Sequence, residues 1–460
     1  MNSKISHLFR FFLFSVFFLF CLSYLSGFGS NDALAFHIRP LRVITLNDAY
    51  ILAAHRNDTI KATKESYYQS TLLKWSAVGM ILPNIRLIYK DQRMHFNSPA
   101  APSSSSSSGT FSFLYPNYEY SFMLSQPILN IGAIPAYRAA QNMIAFNKMN
   151  LNNVSSATLY DVAVDYYTVI NDLSLIKADS KTLSEAKTHL RLSEARLGAG
   201  LAIVTDVLQA KSQFYAARQQ LLSSKNALKT VKADLAALLG ISRYFGVVKP
   251  SEPVFKKAPL RTYIASAYKN NSGLKALKFA KKAADDKTLY YESQYIPTIN
   301  FTASYNALSN SRFIPDGSLS FWTAGATLTM PIFQGSTRIV SIEKARSAAN
   351  QSMYNTTQAK RNLKARVISE FYNIQNLKYE VITLKHEEKF ASKNYELVEE
   401  EYKAGVATSV DVVTAMAELT KARHNFLSAG LSYDKSVLGL RRLTGSFKEK
   451  LVNLTEDRFN

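Results

Sequence analysis

Cysteine is almost missing from this chain of 460 residues: Cys21 is the only one. It follows Phe20 inside an apolar run, whereas a lipid-attachment site wants a small residue immediately before the thiol. The remainder of the chain therefore has no disulfide framework and no thiol chemistry. Long hydrophobic runs are equally scarce. Beyond the first 35 residues no segment approaches the roughly 18 to 20 uninterrupted apolar residues that a spanning helix requires, so any membrane crossing must use strands. Acidic residues are few, 34 Asp and Glu against 55 Lys and Arg, which leaves a formal net charge of +21. Such an excess can signal nucleic acid, but no basic cluster interleaved with aromatics stands out. A solvated basic surface, or one facing anionic lipid headgroups or acidic solutes, fits better. His37, His55, His95, His189, His386 and His424 are scattered and join no carboxylate at metal-ligand spacing. Neither a glycine-rich phosphate loop nor a nucleophile motif occurs. The reading is a non-enzyme with no catalytic, cofactor or metal site.

What is present begins with a leader. Lys4 and Arg10 precede the apolar stretch Phe11 to Phe20, which continues through Leu22 and Leu25 to Ala33-Leu34-Ala35, a small-residue cleavage pattern. Residues 1–35 read as a secretory signal peptide, with the mature chain starting near Phe36.

An internal repeat organises the rest. Segment 42–87 matches 256–301, with Leu46/Leu260, Asn57/Asn271, Lys61/Lys275 and Pro83/Pro297 among the pairs. A second stretch matches at a shift of 205, pairing Val162/Val367, Glu194/Glu399, Gly200/Gly405, Asp206/Asp411, Arg218/Arg423 and Leu235/Leu440. The first repeat spans 36–240 and the second 260–445, joined by a linker at 241–259 and followed by a tail at 446–460.

Each repeat contains a Gly- and Pro-free run, Ala136 to Leu197 and Ser336 to Ala404. At about 1.5 Å per residue each predicts a helix on the order of 90 to 100 Å long. The returning segments carry heptads, from Val207, Ala210, Phe214, Ala217 and Leu221 to Leu238, and from Val412, Ala415, Leu419, Ala422 and Phe426 to Leu443. The outgoing helix shows the same alternation from Leu159 to Ile176, then slips register near Ser180. The helical hairpins, about 136–240 and 336–445, turn at Leu197 to Asp206 and at Tyr402 to Asp411, where Gly198, Gly200 and Gly405 relieve the backbone.

Strand hairpins are expected at about 84–130 and 298–334. Tyr118, Tyr120, Phe122 and Leu124 alternate with Glu119 and Ser121, and Trp322, Ala324, Ala326 and Leu328 alternate with Thr323 and Thr327. An apolar outer face and a polar inner one suit a lipid-embedded barrel. The Ser-rich stretches 103–108 and 309–318 read as exposed loops. Four strands are too few to close a membrane barrel, so several chains must contribute. Three would supply twelve. The fold class is mainly α with a membrane β-barrel part, in two tandem repeats of long helical hairpins plus a β-hairpin.

This pattern resembles the TolC family of outer-membrane efflux proteins over nearly the whole mature chain. The carriers are Pro83 and Pro297, Gln126-Pro127-Ile128-Leu129, Met330-Pro331-Ile332-Phe333-Gln334-Gly335, and the tips Ala199 to Val207 and Ala404 to Val412. The resemblance implies a homotrimer, with a 12-stranded β-barrel in the outer-membrane lipid continuing into a 12-helix periplasmic α-barrel. It further implies partnership with a periplasmic adaptor (membrane fusion protein) and an inner-membrane transporter, and a belt formed by the linker and chain ends. Tip contacts with the adaptor map to Gly200, Leu201, Gly405 and Val406. Gate residues map to Asp411 and Tyr402, with Asp206 as a neighbouring partner. Thr414 and Ala407 stand where the family carries an aspartate and an arginine. A plainer reading makes the glycines turn residues and both aspartates helix caps. The alternative overall reading is a non-channel envelope coiled-coil scaffold, a periplasmic adaptor or trimeric adhesin.

Overall fold

The structure is a computed structural model that describes residues 43–99, 110–241, 245–251, 253–255, 258–310 and 318–447. The expected signal peptide and most of the expected C-terminal tail lie outside them. The elements in chain order are β1 (Val43–Ile44), α1 (Leu46–Arg56), α2 (Asp58–Gly79), β2 (Asn84–Pro99), β3 (Thr110–Leu129), α3 (Ala133–Gly198) and α4 (Val204–Leu239). The second half follows with β4 (Gly246–Val247), α5 (Leu260–Asn270), α6 (Ser272–Ser293), β5 (Thr298–Asn310), β6 (Ser318–Thr329), α7 (Thr337–Ala404) and α8 (Ser409–Leu443). The repeat is visible in the lengths: α1 and α5 both have 11 residues, α2 and α6 both 22.

The same asparagine sets each first junction. Asn57 Oδ1 caps α2 by accepting from the N–H groups of Thr59 and Ile60, while its Nδ2 donates to the Leu238 carbonyl at 3.1 Å. Asn271 caps α6 by accepting from Leu274 N–H and donates to the Leu443 carbonyl at 3.1 Å. A capped helix start is thereby tied to the end of the returning helix in each repeat.

The two long helices have 66 and 68 residues, about 100 Å each. Among the described residues no helix is long and apolar enough to cross a membrane. The strands form one antiparallel sheet in the order β2-β3-β5-β6. Its register puts Lys90 beside Glu119 (3.0 Å), Ser121 beside Asn306 (2.7 Å) and Ser304 beside Thr323 (2.7 Å) on one face. The other face exposes Ile85, Leu87, Tyr89, Tyr120, Phe122 and Trp322.

The helices continue this four-element strip. Nearest the sheet they lie in the order α2-α3-α6-α7, and towards the tips in the order α4-α3-α8-α7. β2, α2 and α4 therefore share one edge, and β6 and α7 the other. Midway, β1 pairs in parallel with β4, and the buried Tyr166 hydroxyl donates to the carbonyls of Ile44 and Val248. Phe447 packs edge-on to Tyr50 beside them.

The α4 and α8 heptad positions are all buried or half-buried. The outgoing helix departs from expectation. Its register changes between Val169 and Asp172, well before Ser180, because Asp172 is buried while Leu173 is exposed. From there the buried residues step in sevens through Asp172, Asp179, Ala186 and Ser193, and this lower seam is largely polar. Gly198 departs from expectation too: it ends α3 in helical conformation, and Gly200 alone takes the left-handed conformation at that tip.

Candidate functional site

The tips close by the same hydrogen bonds one repeat apart. Leu201 N–H donates to the Arg196 carbonyl (2.8 Å) and Val406 N–H to the Glu401 carbonyl (2.9 Å). Each turn needs one left-handed residue, Gly200 at φ 76° and Gly405 at φ 82°, where a side chain would be strained. Leu201 and Val406 follow at 69% and 79% exposure, with Ile203, Val204 and Val410 exposed beside them. Together these side chains make an exposed apolar patch at the end of each hairpin.

The returning helices start differently. At the second tip Asp411 Oδ2 accepts from Thr408 N–H (2.8 Å) and Thr408 Oγ1 (2.6 Å), and the threonine Oγ1 accepts from Asp411 N–H (3.3 Å). This reciprocal cap holds the Asp411 carboxyl below the usual carboxylate range, chiefly through the Thr408 hydroxyl. At the first tip Asp206 Oδ2 accepts from Ile203 N–H (3.3 Å), but isoleucine offers no side-chain acceptor, so only half the cap exists. Asp411 and Thr414 are exposed, and the Thr414 hydroxyl donates to its own helix at the Val410 carbonyl.

Tyr402 is placed otherwise: it is 3% exposed and held between the hairpins. Its hydroxyl lies 3.1 Å from Ser193 Oγ, and the Arg196 guanidinium stacks 4.8 Å from its ring while donating to its backbone carbonyl. His189, with its ring 5.0 Å from that of Tyr402, makes a 3.1 Å bond from Nε2 to Ser409 Oγ, which in turn donates to the Asp206 carbonyl. Burial holds the His189 imidazole down to about 4, with Asp206 acting weakly the other way. Tyr402 and the Asp206 backbone thus belong to one buried network with Ser409, whereas Asp411 and Thr414 do not.

Further from the tip the hairpins are joined again. The buried Arg423 donates to Thr182 Oγ1 (3.4 Å) and Glu185 (3.3 Å) of α3 and faces Glu388 of α7 (3.9 Å). His424 Nε2 meets Asp179 at 2.6 Å, and Ser224 of α4 donates to the other Asp179 oxygen at 2.5 Å. Sequence reasoning missed this tier, although the Arg218/Arg423 repeat pair lay in view.

Comparison with known proteins places this geometry. The family described as Outer membrane efflux protein matches residues 92–241 and 263–446, well over half of the chain. The outer membrane efflux protein BepC of Brucella suis is 24% identical over 281 residues, 61% of either chain, so the match spans less than two thirds of that relative. TolC of Escherichia coli is 20% identical over 345 residues, 72% of this chain and 70% of that one. Among solved structures, the outer membrane protein VceC from Vibrio cholerae superposes with a TM-score of 0.74 at 15% identity, covering 87% of this chain and 96% of that one. The chain belongs to the outer membrane efflux protein family.

Proposed function

We propose that this protein is the outer-membrane channel of a tripartite efflux or type I secretion system, passing small molecules or proteins from an inner-membrane transporter through a periplasmic tunnel. Channels of this family are trimers that work with adaptors and inner-membrane transporters, and the role is transport without catalysis. For this chain the observation that carries the reading is the open strip. Its sheet ends in β2 on one side and β6 on the other, and no described strand covers either edge. Unpaired strand edges do not survive in hydrocarbon, and a head-to-tail contact that closes on itself gives a ring. Three copies place the apolar face of Ile85, Leu87 and Trp322 against lipid and the Lys90, Ser121 and Thr323 face inside. The coiled-coil scaffold alternative accounts for the heptads but leaves this exposed apolar sheet face without a purpose.

On this reading Gly200, Leu201, Gly405 and Val406 present the adaptor-contact surface, supported by their exposure. Tyr402 and Asp206 hold the two hairpins of one subunit together, and Asp411 and Thr414 line the mouth of the tunnel. The test is fractionation with conductance: heat-dissociable trimers in outer-membrane fractions and single channels in planar bilayers are expected. A monomer in periplasmic extracts would sink the reading.

A further inference from the structure

The internal repeat makes the contact inside one chain a template for the contact between chains. In the tip half α4 and α7 lie at opposite edges, and in a ring the α7 edge of one copy meets the α4 edge of the next. By the shift of 205, α7 is the counterpart of α3 and α4 the counterpart of α8, so α7 on α4 of the next copy repeats the observed packing of α3 on α8. At that observed contact Arg423 bonds to Thr182 and Glu185. The same shift carries Arg423 to Arg218, Thr182 to Glu387 and Glu185 to Phe390.

The flanks agree. Gln213, Ala216 and Gln220 of α4 border the hollow shared with Ala417, Thr420 and His424 of α8, so this flank faces the same chain. Lys211, Arg218 and Lys225 sit two residues from Gln213, Gln220 and Ala227, about 200° round the helix, and face away. On α7, Glu388 reaches towards Arg423, which turns that flank inward. Glu380, Glu387, Asn394 and Glu401 recur every seven residues, about 100° round the helix from Glu388, and are exposed. In an antiparallel pair seven residues up one helix oppose seven down the other, so the register that sets Arg218 against Glu387 also sets Lys225 against Glu380 and Lys211 against Asn394. Among the described residues none of these cations and carboxylates forms an ion pair within the chain. Leu208, Tyr215 and Leu222 of α4, and Phe390 and Leu397 of α7, are exposed apolar side chains flanking the two charged stripes.

We infer that the surface formed by Lys211, Arg218 and Lys225 with Leu208, Tyr215 and Leu222 docks on the Glu380, Glu387, Phe390 and Leu397 surface of a second copy, with Arg218 against Glu387 at its centre. This inference rests on the ring proposed above. A staggered charge seam fixes register as well as adding attraction, because a slip of half a heptad separates the charges.

The experiment uses the mature chain, which has no natural cysteine once the leader is removed. Mild oxidation of the double variant R218C/E387C is expected to give covalently linked trimers on non-reducing gels, and neither single variant any. R218E and E387R are each expected to lower the temperature at which the trimer dissociates by several degrees, with the R218E/E387R combination recovering much of the loss. Trimers of the unsubstituted chain without cross-links in the double cysteine variant, or charge reversals that leave the dissociation temperature unmoved, overturn this seam alone. Absence of trimers from the unsubstituted chain overturns the ring and the seam with it.

Discussion

Acid is expected to loosen the tips through His189. Its imidazole is 2% exposed, Nε2 is committed to Ser409, and buried Nδ1 has no hydrogen-bond partner among the described residues. A second proton there would be buried without an acceptor, which is why the pKa falls from 6.5 to about 4. The folded state therefore binds this proton less tightly than the opened state. Stability is intact above about pH 7, is lost as the pH falls through 6.5, and reaches a constant deficit below about 4. The full deficit, below about pH 4, is about 3 kcal/mol; at pH 5 about 2 kcal/mol of it is present, about a thirty-fold rise in opening of α3 from α8. Hydrogen exchange of the amides in 189–196 and 405–412, corrected for intrinsic rates between pH 7.5 and 5, reads this directly. The variant His189→Gln keeps a bond to Ser409 without a titrating group and is expected to flatten the profile. Asp179, Glu185, Asp206 and His424 are all kept in that variant, so only the imidazole at 189 is removed. An equal acid response in His189→Gln and in the natural chain would refute the reasoning.

Three further outcomes are expected. Asp165, pushed up to about 6 by burial and by Asp234 and Asp161, is disfavoured as a carboxylate in the fold, so stability declines as pH rises from about 4 to 6. Asp165→Asn should then gain about 1 kcal/mol at pH 7 after solvent screening, measured by thermal melting, with no gain at pH 4. Asp411→Ala should weaken the start of α8 by about 1 kcal/mol, and if the carboxylate also lines the mouth it should shift single-channel ion selectivity; an unshifted selectivity leaves it a cap only. Gly200→Trp and Gly405→Trp, at sites with open space around the glycine or only the end of Arg196 near it, should abolish export while trimers persist. Continued export would remove the tips from the adaptor contact.

Much of the fold was legible because long-range constraints were written as local periods. The seam from Val207 to Leu238 and its copy from Val412 to Leu443 proved buried or half-buried throughout, since a helix with one partner along its length must bury the same face at every turn. The strands were legible because alternation such as Trp322, Ala324 and Ala326 against Thr323 and Thr327 fits only an element of period two. α3 was read less well below Val169. Its partners there include α8 as well as α4, so Asp179, Thr182, His189 and Ser193 occupy a buried seam with polar side chains that no apolar period announces. The same cause hid the fate of Tyr402: the sequence places it at a tip, and only its neighbours Ser193 and Arg196 bury it.

By itself, then, the order of residues determined the duplicated unit, the element types and the tip turns, because propensity, period and left-handed glycines act over a few residues. Tertiary structure decided which face of each helix meets which neighbour. That choice buried Tyr402 between the hairpins while leaving Asp411 exposed. It also joined Arg423 to Glu185 and left its repeat counterpart Arg218 on a free edge. On the seam inferred above, the partner of that charge is Glu387 of the copy alongside.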